Sequence, residues 1–230
     1  MKKLSTLCFA FWLVVTLIAP AVRANDGKDQ RVTDVLARME KSQRSLRTLR
    51  GNIEMEKYNS QVRESDKSYG TLAYASKGNR NASVRVEWQR PQQEILVSES
   101  GKYQLYRPRL NTVMVGNANQ NRSKVNNMLG FGLNMSKAEI ESRFDVKWLG
   151  EGTLYGNVHV NQLQLTPKTA ASYKQAEIWV DDAGLPTQTR WIEKNNDWTT
   201  VRITDAQRNV SIPSDAFRLQ LPSGVKKIQA

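Results

Sequence analysis

Cysteine and histidine are almost missing from this chain: Cys8 and His159 are the single examples among 230 residues. Cys8 lies inside the N-terminal apolar run, so the rest can form neither a disulfide framework nor a thiolate metal site. His159 stands between Val158 and Val160 in a strand-like stretch, which points it away from the face those valines cover. No His or Cys companion lies at ligand spacing, so it reads as a solvent-facing strand residue. Without a thiol, a Gly-x-Ser-x-Gly motif or a second histidine, nucleophilic catalysis lacks its usual parts. Asp181 and Asp182 read as turn residues, and Glu54 and Glu56 as the wet face of a strand, rather than as a catalytic carboxylate pair. The expectation is of no enzyme, no cofactor and no metal.

Long runs are scarce as well. The one extended apolar stretch, Leu4 to Ala19, is broken only by Ser5, Thr6 and Thr16; it follows Lys2 and Lys3, ends at Pro20 and precedes Val22-Arg23-Ala24. This is the layout of a secretory signal cleaved after Ala24. A retained anchor is the rival reading, but Leu7 to Ala19 is short for a bilayer span of ~20 residues. Cleavage at residue 24 of 230 leaves 206 residues, read as a single domain over residues 25–230. It also removes Lys2, Lys3 and Arg23, taking the formal charge from +12 to +9. Such a charge attracts phospholipid headgroups, nucleic acid or acidic proteins. Because the cations are scattered rather than blocked, and secreted proteins rarely meet nucleic acid, no nucleic-acid partner is expected.

What the chain does have is periodicity. Val32, Val35, Leu36, Met39, Leu46 and Leu49 form one stripe of a helix of about five turns, with Asp29 as a candidate cap and Gly51 as its end. From Ile53 the period becomes two, through Leu72 and Tyr74, Val84 to Trp88, Ile95 to Val97, Tyr103 to Tyr106 and Thr112 to Val115. Alternation resumes at Val146 and continues through Val158 to Leu165, Ile178 to Val180, Thr189 to Trp191 and Trp198 to Ile203. Phe217, Leu219 and Leu221 close the series. Asp181 to Gly184 reads as a hairpin loop.

Between Asn117 and Phe144 the alternation stops. A polar loop to Lys124 leads into Met128, Leu129, Phe131 and Leu133, which are interrupted by Gly130 and Gly132 at a cost of ~1 kcal/mol of helix stability each. Ser136 and Glu139 then make a capping box for a further helix through Phe144. The predicted fold class is mainly β (α+β): an unclosed antiparallel β-barrel of about 10–11 strands, covered by the N-terminal helix and a central helical lid. A sheet of that many strands curls. Its concave apolar face, with five tryptophans in strands and a weakly held apolar lid, suits acyl chains.

These residues resemble the LolA/LolB lipoprotein carriers of the bacterial envelope. The likeness runs from Val32 to Tyr58, through Val84-Arg85-Val86-Glu87-Trp88, Glu94 to Ser98 with Gly101-Lys102, and Tyr106-Arg107-Pro108. It continues with Met128 to Leu133, which looks like the family's lid, Leu163 to Lys168, and Phe217 to Val225. The resemblance implies a periplasmic carrier that takes acylated lipoproteins from an inner-membrane ABC transporter and passes them to an outer-membrane acceptor; a monomer is expected. Val84, Val86, Trp88, Leu96 and Leu105 would then line the acyl-chain cavity, with Met128, Leu129, Phe131 and Leu133 as its lid.

Two features depart from the family pattern. Ser76-Lys77-Gly78-Asn79-Arg80 replaces the Lys-Arg-Pro whose arginine latches the lid, leaving Lys77 and Arg80 as candidate latches. The chain also ends soon after Ile228, so the extra C-terminal strand of some carriers is expected to be absent. Two alternatives stay open. One is an envelope-stress sensing or interaction module of the same fold, whose known forms have a further C-terminal domain that has no room here. The other is a carrier of phospholipid or glycolipid.

Overall fold

The computed structural model describes residues 26–78, 82–117 and 135–229. The predicted leader, the lid residues Met128, Leu129, Phe131 and Leu133, and the candidate latch Arg80 lie outside the described residues. Helix α1 (Asp26–Ser45) is followed by β1 (Thr48–Asn59), β2 (Glu64–Ser76), β3 (Ala82–Arg90), β4 (Glu94–Glu99), β5 (Lys102–Arg107) and β6 (Thr112–Asn117). After helix α2 (Lys137–Arg143) come β7 (Phe144–Leu154), β8 (Val158–Pro167), β9 (Tyr173–Asp181), β10 (Pro186–Glu193), β11 (Trp198–Arg208) and β12 (Lys226–Gln229).

All twelve strands belong to one sheet, ordered β12-β6-β5-β4-β3-β2-β1-β11-β10-β9-β8-β7. Two meanders, β1 to β6 and β7 to β11, are joined where β1 pairs with β11. Among the described residues β7 and β12 are the edges and the sheet is not closed, which is the expected open barrel. Every pairing is antiparallel except that of β12 on β6. Strand twist accumulates over so many pairs and curls the sheet, gathering the apolar side chains of alternate positions on one inner face.

The inner face holds two clusters. In one, Val35, Leu36 and Met39 of α1 meet Ile140 of α2, Phe144, Leu163, Leu165 and Ile178. Their spacing of one and three residues keeps them on one side of the helix, and Ser42 is buried one turn on. Each large apolar side chain so buried contributes ~1.5–3 kcal/mol. The other cluster joins residues of β1 to β5 with Leu185, Trp191, Val201 and Ile203. Helix α1 therefore lies over the β7–β9 half of the sheet.

The helix differs at both ends from its predicted span. It already includes Asp29, so that residue is internal rather than a cap, and it ends at Ser45. Leu49 and Gly51 belong to β1, where pairing with both β2 and β11 outweighs continued helix. Gly51 fits there because a Cβ would stand 2.8 Å from the Thr204 carbonyl oxygen. The capping box forms as expected: the Ser136 hydroxyl accepts from the Glu139 N–H at 3.3 Å while the Glu139 carboxylate accepts from the Ser136 N–H at 3.0 Å. Its helix stops one residue early, at Arg143, because Phe144 opens β7.

The Asp181 to Gly184 loop is the hairpin joining β9 to β10. Asp181 fixes it twice, accepting from the Leu185 N–H at 2.8 Å and pairing with Arg208 of β11. Gly184, at φ +83, lies so near α1 that a Cβ would stand 2.2 Å from the Arg38 carbonyl oxygen.

The C-terminal part departs further from expectation. Phe217 ends a short 3-10 turn (Ser214–Phe217) packed against β3 and β4, and Leu219 and Leu221 follow without forming a strand. Pro213 and Pro222 bracket this stretch and lack the N–H groups that a ladder needs. The last strand is instead β12, at a place where the sequence pattern predicts none.

Candidate functional site

The inner face of β2 to β6 is built in rows. Leu72, Val86, Leu96, Leu105 and Met114 stand side by side across five strands. A neighbouring row runs Tyr74, Val84, Ser98, Tyr103 and Gly116. Trp88 begins the row on the other side, opposite Gly70 and Glu94, and Glu94 accepts from Arg107 at 2.9 Å. The five residues expected to line a cavity are thus brought together on three adjoining strands. All are buried, from Val86 at 0% to Leu105 at 9% exposure. They join one apolar cluster that also includes Ile53, Trp191, Val201 and Ile203.

Two glycines shape this wall. At Gly116 a Cβ would stand 2.6 Å from the Tyr103 ring, and at Gly70 it would stand 2.2 Å from the Glu87 carbonyl oxygen beside Trp88. Gly116 leaves room for the Tyr103 ring, and Gly70 lets the β2 and β3 backbones approach closely. Burial raises the Tyr74 hydroxyl above its ordinary pKa. Tyr74, Tyr103 and Trp191 were not singled out from sequence as site residues. The alternation and the curl are readable in the sequence, but not which strands the curl brings face to face, and so not that Trp191 of β10 joins the wall formed by β2 to β5.

The five strand tryptophans do not all serve one surface. Trp88 and Trp191 are buried on the inner face, and Trp148 is half-buried beside α1, 5.9 Å from the Arg31 guanidinium. Trp179 and Trp198 stand on the outer face, with the Arg190 guanidinium 5.5 and 4.7 Å from their ring centroids and Tyr58 stacked on Trp198 at 5.1 Å. This ladder ties β1, β11, β10 and β9 together from outside.

Lys77, the describable latch candidate, donates to Glu99 at 2.7 Å. That bond is the main reason the Glu99 carboxyl lies below its ordinary pKa. His159 is half-exposed as expected, and it bonds Asp182 at 2.8 Å with Glu151 at 3.8 Å. The Asp182 hydrogen bond, chiefly, raises its pKa above 6.5. Glu54 and Glu56 lie on the outer face near Lys67, at 3.9 and 3.8 Å.

A groove of about 770 Å³ opens on the outer face, between the 212–220 segment and β1 to β3. Arg50, Asn52, Arg85, Glu87, Asp205 and Arg218 line it with charges of both signs. Arg85 is already engaged by Glu87 at 3.0 Å and the Ala216 carbonyl at 3.4 Å. Ile95, Ile212, Pro213 and Leu219 add apolar surface between these charges.

Residues 44–220 match the family described as outer membrane lipoprotein carrier protein LolA, and the chain belongs to that family. No protein of curated function matches it by sequence. Among solved structures it is similar to MucB, with 16% identity and a TM-score of 0.58 over 83% of this chain and 63% of MucB. The MucA/MucB complex of Pseudomonas aeruginosa gives 15% identity and 0.53, over 83% of this chain and 61% of that one. This chain therefore spans about three fifths of the MucB chains it resembles. An uncharacterized conserved protein from Thermus thermophilus matches over its full length and 87% of this chain, with 12% identity and a TM-score of 0.57. These structures share the fold. The family consists of carrier or binding proteins of the periplasm or envelope, which supports a lipid- or lipoprotein-binding role.

Proposed function

We propose that this protein is a periplasmic carrier that holds the acyl chains of lipoproteins against the inner face of its open barrel and moves them from inner to outer membrane. The observation that carries this reading is the buried apolar wall of Val84, Val86, Trp88, Leu96 and Leu105, set in a sheet with two free edges. Cleavage after Ala24 would release the domain over 25–230 into the periplasm. The lid would be Met128, Leu129, Phe131 and Leu133, latched by Lys77 or Arg80. An inner-membrane ABC transporter would donate the cargo and an outer-membrane acceptor receive it.

Burying an acyl chain gains ~0.8 kcal/mol per methylene, so a dozen methylenes would contribute ~10 kcal/mol before the costs of ordering. No chemical step is needed, because the cargo leaves when a better apolar site is presented.

Extraction of the purified protein followed by mass spectrometry tests the reading. Co-purifying acylated peptides, together with protection of a purified lipoprotein from aggregation, are expected. Glycolipid or phospholipid alone would assign another cargo to the same wall. An empty protein that fails to protect a lipoprotein would refute carriage and leave a sensing or interaction module as the better use of the fold.

A further inference from the structure

Between Glu99 and Glu139 the sequence has no carboxylate while containing Lys102, Arg107, Arg109, Arg122, Lys124 and Lys137. After Asp215 it again has none, and Arg218, Lys226 and Lys227 follow. The fold lays residues 102–117 and 226–229 of these two acid-free stretches side by side, since β12 pairs in parallel with β6 and β6 pairs with β5. Asn111 fastens the junction: its carbonyl accepts from the Lys226 N–H at 3.0 Å and its side-chain amide donates to the Gly224 carbonyl at 3.1 Å. Lys226 and Lys227 are thereby held beside the Pro108–Leu110 turn.

Among the described residues Lys102, Arg109, Lys226 and Lys227 have no carboxylate partner, whereas Arg107 is paired with Glu94. Two large apolar side chains stand exposed near Arg109, Lys226 and Lys227, Leu110 at 62% and Ile228 at 39%, while Lys102 lies at the far end of β5. Unpaired cations around protruding apolar side chains match an anionic bilayer surface, where headgroups neutralise the charge and the interface takes up the apolar groups. An acidic protein or a nucleic acid would satisfy the charge but give Leu110 no such environment.

We propose that the β12 edge, with the Arg109-Leu110 turn, docks the protein onto anionic phospholipid membrane. This edge adjoins the acyl-chain wall, since Ile228 registers with Met114 at the end of the row through Leu105 and Leu96, but its cations act on a membrane whatever cargo that wall holds. Docking would bring an open edge of the sheet to the source of acylated cargo.

The test is co-sedimentation of the mature protein with vesicles of phosphatidylcholine, or of phosphatidylcholine and phosphatidylglycerol in equal parts. Binding only to the anionic vesicles, weakened by salt, is expected. Lys226→Gln with Lys227→Gln should lower the partition coefficient at least ~10-fold, since each basic residue near such a surface contributes roughly fivefold. Leu110→Ser should weaken binding while leaving its salt dependence unchanged. All three positions are exposed, and unchanged circular dichroism confirms folding.

The control is Lys57→Gln with Lys194→Gln, two exposed lysines on β1 and the β10–β11 hairpin. An equal loss in the control would reduce the effect to net charge and overturn the proposal. So would failure to bind anionic vesicles, or equal, Lys226-dependent binding to a polyglutamate peptide.

Discussion

His159 and Gly184 show how single residues tie the helix to the barrel. The imidazole sits between Asp182 and Glu151, while Arg38 and Arg31 of α1 reach the same two carboxylates at 4.0 and 3.4 Å. Its folded pKa is raised, so its contribution is fully present below the ordinary value of 6.5 and is lost as pH rises through the folded value. His159→Gln should therefore lower the melting temperature at about pH 5.5 and leave it near wild type at about pH 8.5; an equal loss at both would mean that the charge is irrelevant. At Gly184 both space and backbone forbid a side chain. Gly184→Ala should cost more than ~1 kcal/mol, with the hairpin or α1 shifting to relieve the contact, as urea unfolding would report. Ser136→Ala, by contrast, removes only a cap and is expected to cost ~1 kcal/mol.

At the scale of elements, α1 adheres through a few side chains. Leu36 is 1% exposed and packs in the cluster with Ile140, Leu163 and Ile178. Leu36→Ala should destabilise by ~2–5 kcal/mol in a denaturant titration. Hydrogen exchange should then rise first in α1 and α2, leaving the β1 to β5 rows protected; uniform exchange would instead mean that helix and sheet open as one unit. The two halves of the inner face are covered differently, and the half opposite α1 contains the proposed cargo wall.

For the whole molecule, the carrier reading turns on one interior surface. Phe131→Glu, in the proposed lid, should abolish retention of acylated ligand while leaving the β-sheet circular dichroism near wild type. Unfolding would instead make that segment ordinary core. Because the vesicle-docking surface lies on the β12 edge, the same variant should still sediment with anionic vesicles, which separates cargo retention from membrane contact.

Much of this was legible in the residues alone, because period-two alternation and the switch from helical spacing are local and depend only on which side chains must leave water. They determined an open sheet with an N-terminal helix, the capping box at Ser136, the hairpin at Asp181 to Gly184, and the one face of β3 that Val84, Val86 and Trp88 share. Alternation marks two faces of a strand without saying which is inside, and so Trp179 and Trp198 could not be told from Trp88 and Trp191. Only the tertiary structure placed the first pair outside around Arg190 and the second pair inside. It also ended α1 at Ser45, because β1 finds partners on both sides, and sent the last residues to β6 rather than into a strand at Phe217. Those outcomes depend on pairings between segments far apart in the chain, where long-range hydrogen bonding and burial outweigh local pattern.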